Sequence, residues 1–128
     1  MKIEISTGEL VDKVTILAIK LEKFKDEAKK ANVKKEFDIL TVPMNAAGIS
    51  VTSKEFAALK DVNLKLWHIE DDIRIKESRK EFDKEFIELA RSVYFINDDR
   101  AKIKKDINLK FNSELVEEKE YVDYKNKQ

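Results

Sequence analysis

The sequence has no cysteine, one proline, two glycines and one histidine among its 128 residues. Without cysteine it can form no disulfide, no thiol nucleophile and no cysteine-based metal site. A single histidine, His68, argues against a zinc site, and we expect neither a metal nor a cofactor. Because so few residues break helices or form tight turns, the composition predicts long helices.

Long apolar runs and an excess of one charge are also missing. No run of about 18 apolar residues occurs, and the N-terminus has no signal-peptide core, so we expect a cytoplasmic protein without a membrane partner. The 26 basic and 26 acidic residues are interspersed and give a formal net charge of 0. Beyond Lys102–Lys105 no basic face is segregated, which argues against a nucleic-acid partner.

The residues that are present predict an all-α fold. A length of 128 residues, of which 42% are hydrophobic, fits one helical domain over residues 1–128. Ser6 and Glu9 have the spacing of a capping box and predict the start of the first helix. The apolar residues then recur every three or four positions. Their phase changes near Asn32, which predicts a kink or short break between residues 25 and 33.

Residues 41–52 contain the only proline and the second glycine, and they predict one irregular loop. The segments 39–42 and 49–52 have the composition of a small hairpin around it. Loops of this kind often carry function, although a plain connector is the simpler interpretation.

Two more capping boxes, at 52–55 and 78–81, predict the starts of a second and a third long helix. The third helix follows a tight turn near residues 76–80. Asn112 and Ser113 predict the start of a short C-terminal helix over 114–121, and the end of the chain, 121–128, is expected to fray. Three long helices with short connections predict an antiparallel bundle.

Each predicted helix also carries apolar residues away from its main stripe. A helix that is apolar on two sides usually packs on two sides, so we expect a homo-oligomer, most simply a two-fold dimer. Alternatively, the C-terminal segment covers these residues within one chain. The residues that predict the interface are Ile16, Ile19, Leu64, Ile75, Ile87, Tyr94 and Phe95.

Only four of the 26 basic residues are arginines, and Arg100 lies on the apolar face of the third helix. A buried guanidinium needs a partner, because an unpaired buried charge costs several kcal/mol. This position predicts either an ion pair that sets the register of the helices or an anchor for an anionic ligand. Counting helix rise gives as candidate neighbours Glu55, Asp26, Glu27, Asn97 and Lys104.

A second polar stripe, from Asn63 through Trp67, Glu70 and Arg74 to Glu77, runs beside the apolar stripe of the second helix. It is interpreted either as a salt-bridged shoulder of the bundle or as a pocket for an anion, with Arg74 as the fork and Trp67 as a platform. The start of the first helix is expected near Arg74, with Glu9, Asp12 and Lys13.

Five segments resemble one family and together extend over nearly the whole chain. They are Gly8–Leu17, Leu66–Arg74, Phe86–Tyr94, Asn97–Lys104 and Glu117–Tyr121. The family is an uncharacterised domain of unknown function that comprises short, all-helical bacterial and phage proteins. It has no established activity, so the resemblance implies an all-helical fold and no particular reaction.

These observations favour a non-enzymatic, oligomeric helical interaction module, and no catalytic residue is assigned. The alternative is a small helical enzyme or binding protein for an anionic metabolite that uses Arg100 or Arg74 as its anion fork. A looser resemblance is to the all-helical chorismate mutases, for which Arg74, Arg91, Arg100, Lys13 and Glu70 supply the residue types. Those enzymes use an arginine from their first helix, and the first helix here contains none.

Overall fold

Residues 1–125 are described by a computed structural model. They form four α-helices, α1 (Thr7–Lys23), α2 (Glu27–Ala46), α3 (Lys54–Ser78) and α4 (Lys84–Lys110), and within this part of the chain there is no strand. The all-α prediction is confirmed. Of the end predicted to fray, 121–128, residues 126–128 lie outside the described residues.

The first predicted helix is in fact two helices. Ser6 caps α1 as predicted, because its Oγ accepts a hydrogen bond from the N–H of Glu9 at 3.1 Å. The backbone is extended at Phe24 and Asp26, and the Asp26 carboxylate accepts from the N–H of Lys29 to begin α2. The break therefore falls at residues 24–26, and the description as three long helices is replaced by four.

Helix α2 runs back along α1 and continues into the segment predicted as a loop. Met44, near its end, joins the same buried cluster as Leu10 at the start of α1. Pro43 lies inside the last turns of α2, where it removes one i→i−4 hydrogen bond and its ring crowds the carbonyl of Ile39. The hairpin prediction is wrong because residues 39–42 are helical, and the loop itself is limited to 47–53.

Helices α3 and α4 are antiparallel neighbours. Lys110, at the end of α4, pairs with Glu55 at the start of α3. At the other end, Lys76 of α3 lies 3.0 Å from the carboxylate of Asp83. Helix α4, which corresponds to the third predicted helix, begins at Lys84 rather than at the capping box predicted at 78–81. Asp83 supplies the cap, and its carboxylate accepts a hydrogen bond from the N–H of Phe86 at 3.0 Å. The N–H of Phe86 and then Lys76 hold the pKa of Asp83 below its usual value.

The predicted C-terminal helix is wrong. Residues 112–125 form no helix and lie against α4, and we call them the C-terminal strap. Ser113 caps no helix of its own. Instead its Oγ accepts from the N–H of Thr7 at 2.9 Å and donates to the carbonyl of Leu115 at 2.6 Å. Farther on, the Tyr124 hydroxyl donates to the Asp98 carboxylate. Long-range contacts thus override the local preference for a helix.

The buried residues are confined to one part of the molecule. Helix α1 packs against α2, α3 and α4, and α3 packs against α4. We call α1, α2, the 47–53 loop, α3 up to Asn63 and α4 from Lys104 the body, and residues 64–103 the arm. The buried hydrophobic residues all belong to the body: Leu10, Val11, Val14, Leu17, Ile19, Val33, Met44, Ile49, Phe56, Leu59, Val62 and Ile107.

Candidate functional site

A glycine brings the start of α1 unusually close to α4. A Cβ at Gly8 would lie 2.4 Å from the carbonyl oxygen of Lys104, so a larger residue there would push the two helices apart. The N–H of Gly8 also donates to Oδ1 of Asn108 at 2.6 Å. Asp12 lies one turn beyond Gly8 along α1, and Arg100 lies two turns before Asn108 along α4. The close approach at Gly8 therefore sets Asp12 opposite Arg100.

Asp12 is the centre of a polar network inside the molecule. Its side chain is only 1% exposed, and that of Arg100 is 26% exposed. Arg100 Nε donates to Asp12 Oδ1 at 3.0 Å, and Arg100 Nη2 donates to the other oxygen. This two-pronged bond is the strong form of an arginine–carboxylate pair. The hydrogen bond to Asp12 raises the pKa of Arg100, although burial acts in the opposite direction, so the guanidinium stays charged.

Two further side chains complete the hydrogen bonds of Asp12. Asn63, from α3, donates to Asp12 Oδ1 and to Thr15 Oγ1, both at 2.8 Å. Thr15 in turn donates to the backbone carbonyl of Asp12 at 2.7 Å. No buried side-chain nitrogen or oxygen in residues 1–125 lacks a partner. The network therefore joins α1, α3 and α4 without an open hydrogen-bonding group inside.

Lys104 extends the network toward the surface. Its Nζ lies 2.7 Å from the Glu9 carboxylate, 3.7 Å from that of Glu117 in the strap, and 3.8 Å from Asp12. With its side chain only 9% exposed, Lys104 is held among three carboxylates. The strap thus contributes a charge to the site through Glu117.

A cleft of about 340 Å³ opens beside Arg100 where α1, α3 and α4 meet, and we call it the junction cleft. Four residues that the sequence predicted as binding residues line it: Arg100, Asn97, Trp67 and Glu70. Asn97 accepts a long hydrogen bond of 3.4 Å from Arg100 Nη1. The two polar stripes predicted separately therefore meet at one place.

The other predicted site residues lie elsewhere. Glu55 pairs with Lys110 rather than with Arg100, and Lys110 lies about ten residues beyond Arg100 along α4. The hydrogen bond from Lys110 lowers the pKa of Glu55. Arg74 is 72% exposed and lies 3.7 Å from Glu70 on its own helix. The start of α1 lies beside Arg100 rather than Arg74, because the break at residues 24–26 leaves α1 antiparallel to α4.

The fork of Arg100 is already filled by Asp12, and the only histidine, His68, is exposed on α3. Among residues 1–125 no three histidine, aspartate or glutamate side chains are grouped so that they could hold a metal ion. None of the helices in the same range is long and apolar enough to cross a membrane.

Comparison with known proteins gives a family and nothing more specific. The model of a family of unknown function, DUF6165, matches residues 1–126. The chain belongs to this family. Neither the functionally curated proteins nor the solved structures contain a match. The resemblance stated from the sequence, to an uncharacterised family, is confirmed.

The central residue of the network in this DUF6165 member, Asp12, was predicted to lie beside Arg74, and Thr15 was not singled out. The sequence does carry a signal for both. Gly8, Asp12, Thr15 and Ile19 follow each other at spacings of four, three and four, which is one face of a helix. All four are buried. A lone carboxylate between a glycine and a buried isoleucine on such a face indicates a charge that needs an internal partner.

Proposed function

We propose that this protein is a non-enzymatic helical interaction module that assembles as a homo-oligomer, most simply a two-fold dimer, through its arm. One observation carries the proposal. Between residues 64 and 103, all of which the structure describes, no residue is buried, although this segment is rich in Leu, Ile, Val and Phe. A pair of helices covers only one side of each helix, so the other sides need a further surface.

Three exposed apolar side chains of the arm belong to its free end, near the connection between α3 and α4. Ile75 is 47% exposed, Phe82 55% and Ile87 56%. Three acidic residues surround Lys76 at the same place, at 3.0 to 3.2 Å, and hold the connection in shape. A fixed apolar patch at the end of a two-helix projection is typical of an interaction surface.

The C-terminal strap covers a different part of the arm. The Tyr124 ring lies 4.9 Å from Tyr94 and 5.0 Å from Phe95, so these two residues are partly covered within the chain. Ile19 is buried in the body and is removed from the predicted interface. Ile16 and Leu64 are half-buried, so the proposed surface rests on Ile75 and Ile87, together with Phe82.

A second copy is the simplest partner for this surface. A two-fold contact uses the same patch on both copies, so one exposed patch is enough. Charges of both signs alternate along the arm, so two arms do not repel each other. Two arms packed together would form a four-helix bundle, a common arrangement of helical hairpins. The cytoplasmic location remains a prediction.

The alternative, an anion-binding enzyme that uses Arg100 or Arg74, has less support. A two-pronged ligand fork should present its free donors to a cavity, whereas Nε and Nη2 of Arg100 are taken by Asp12 and only Nη1 retains a free hydrogen. Arg74 is exposed beside Glu70. An ion pair that fixes how the helices meet accounts for Arg100 without a substrate.

Light scattering of the purified protein tests the proposal. We expect the mass of a dimer for the unchanged chain and of a monomer for Ile87→Glu, because a buried charge at the contact costs several kcal/mol. Val42→Glu is the matched control, since Val42 is 68% exposed on α2, and it should stay dimeric. A monomeric unchanged chain, or dissociation by Val42→Glu and not by Ile87→Glu, would overturn the arm as the interface.

A further inference from the structure

A second, larger cleft lies on the other side of Arg100, between α4 and the C-terminal strap. Its volume is about 630 Å³, which is within the range of small-molecule sites, about 300–1,000 Å³. We call it the strap cleft. Its walls are largely aromatic and aliphatic, and they include Tyr94, Tyr121, Val122 and Tyr124. Such walls suit a planar, partly apolar molecule.

Besides the tyrosine hydroxyls, the strap cleft is lined by three side chains with hydrogens to donate, Arg100, Asn97 and Lys119, of which Arg100 and Asn97 also line the junction cleft. Arg100 Nη1 makes only the long 3.4 Å bond to Asn97 Oδ1, so one of its two hydrogens has no partner in residues 1–125. Asn97 uses its oxygen in that bond, and its NH₂ group donates to no residue in the same range. Lys119 lies 3.4 Å from Glu117 and has two further hydrogens to donate.

The acceptor in the cleft, by contrast, is occupied. The Asp98 carboxylate accepts from the Tyr124 hydroxyl and lies 3.5 Å from the Lys125 ammonium group. A ligand would therefore meet donors, two of them cationic, and would need acceptor atoms of its own. A carboxylate or phosphate meets this need best, because charged hydrogen bonds are about twice as strong as neutral ones.

We propose that the strap cleft binds a small aromatic anion, with its carboxylate or phosphate group at Arg100 and Lys119 and its ring among the tyrosines. Tyr121 is 70% and Val122 85% exposed. A ring in the cleft would cover part of both side chains and so stabilise the strap against α4. The site lies apart from Ile75, Phe82 and Ile87 and does not depend on dimer formation.

Nuclear magnetic resonance titration of the full chain tests the proposal with three probes. Phenyl phosphate carries both the ring and the anion, phenol carries only the ring, and inorganic phosphate carries only the anion. We expect phenyl phosphate to shift the amides of residues 93–100 and 119–124, and to bind at least about tenfold more tightly than either part, because both halves of the cleft are then used.

Two variants and a control make the test specific. Lys119→Gln should weaken phenyl phosphate about two- to fivefold, the range for one exposed charge, and Tyr121→Ser should also weaken it. Lys102→Gln is the control. Lys102 is a nearby lysine on α4 that is 77% exposed and paired with Asp106, so its substitution should leave the affinity for phenyl phosphate unchanged. Equal binding of all three probes, equal binding by all variants, or shifts centred on Trp67 in the junction cleft would overturn the assignment.

Discussion

The body and the arm share the two long helices α3 and α4, yet the two regions differ in how these helices are packed. In the body, α3 and α4 meet α1, and side chains such as Leu59 and Ile107 are buried. Contacts from α1 and Phe24 reach the arm at Arg100 and Trp67, and farther out side chains such as Leu89 and Ile73 stay partly exposed. The amphipathic pattern of α3 and α4 continues from the body into the arm. Helix α1, which covers the apolar faces of α3 and α4 in the body, ends at Lys23.

This difference separates stability from association. Hydrophobic burial contributes about 25 cal/mol per Å² of apolar surface removed from water, so the body supplies most of the folding free energy. The arm keeps apolar area that is still available for a partner. The Asp12–Arg100 pair stands at the boundary, because Asp12 belongs to the body and Arg100 to the arm.

The largest effect is expected from breaking that boundary. Arg100→Leu leaves the buried Asp12 carboxylate with only Lys104, at 3.8 Å, as a counter-ion, and removal of one partner of a buried pair costs about 3–5 kcal/mol. We expect the lower part of this range, because the Arg100 side chain is partly exposed. Urea unfolding followed by circular dichroism measures the loss.

A second substitution serves as the control for this variant. Asp12→Asn added to Arg100→Leu removes the stranded charge and keeps a partner for Asn63, so it should recover part of the lost stability. A cost below about 1 kcal/mol for Arg100→Leu alone would mean that the pair is a surface ion pair in practice. The boundary between body and arm would then have to be explained without it.

A matched pair of leucines compares the two regions directly. Leu59→Ala removes a side chain with 0% exposure and should cost about 2–5 kcal/mol, as in other buried sites. Leu89→Ala, in the partly exposed arm, should cost about 1 kcal/mol, because less surface is lost and water can fill the space. Thermal and urea unfolding of both variants at a concentration where the protein is monomeric gives the comparison. Equal costs would contradict the division into body and arm.

The smallest effect concerns the strap at high pH. Burial, and then the hydrogen bond to Asp98, raise the pKa of Tyr124 to about 12. Below the unfolded pKa of about 10 this contribution to stability is complete. As the pH rises from there, the unfolded chain releases its proton first and binds fewer protons than the folded chain, so the contribution falls and is lost through pH 12.

Ultraviolet absorbance of tyrosinate, measured during an alkaline titration, shows whether one of the three tyrosines ionises late. The Tyr124→Phe variant should lack that late step, and its stability should depend less on pH over the same interval. If the variant and the unchanged chain titrate alike apart from one ordinary tyrosine, the strap does not hold Tyr124 as described.

The features predictable from the sequence are those that depend on neighbouring residues. Ser6 and Glu9 mark the start of α1 because a cap uses atoms three residues apart, and the long periodic segments give α3 and α4 nearly to their ends. The need for a partner at Arg100 was also predictable, since it follows from one charge on an apolar face. The all-helical fold class came from composition and periodicity alone.

Direction and partner were not predictable in the same way. The apolar pattern continues through residues 24–26, so the sequence did not show that the chain reverses there, and this reversal decides which acid reaches Arg100. Glu55 was chosen by counting helix rise in an up-down-up bundle, whereas Asp12 is selected by the close approach at Gly8. The sequence predicts a helix in the strap because Ser113 has the character of a cap, whereas the real partner of Ser113, Thr7, is 106 residues away.

That last contact has a consequence for how the chain is made. The open N–H groups at the start of α1 are satisfied by Asn108 and Ser113, which follow Gly8 and Thr7 by 100 and 106 residues. On the ribosome, α1 and α2 are therefore synthesised long before the residues that complete them. Helix α1 has to wait, with Asp12 lacking Arg100, until α4 emerges, so these contacts close only after residues 100–113 have been made.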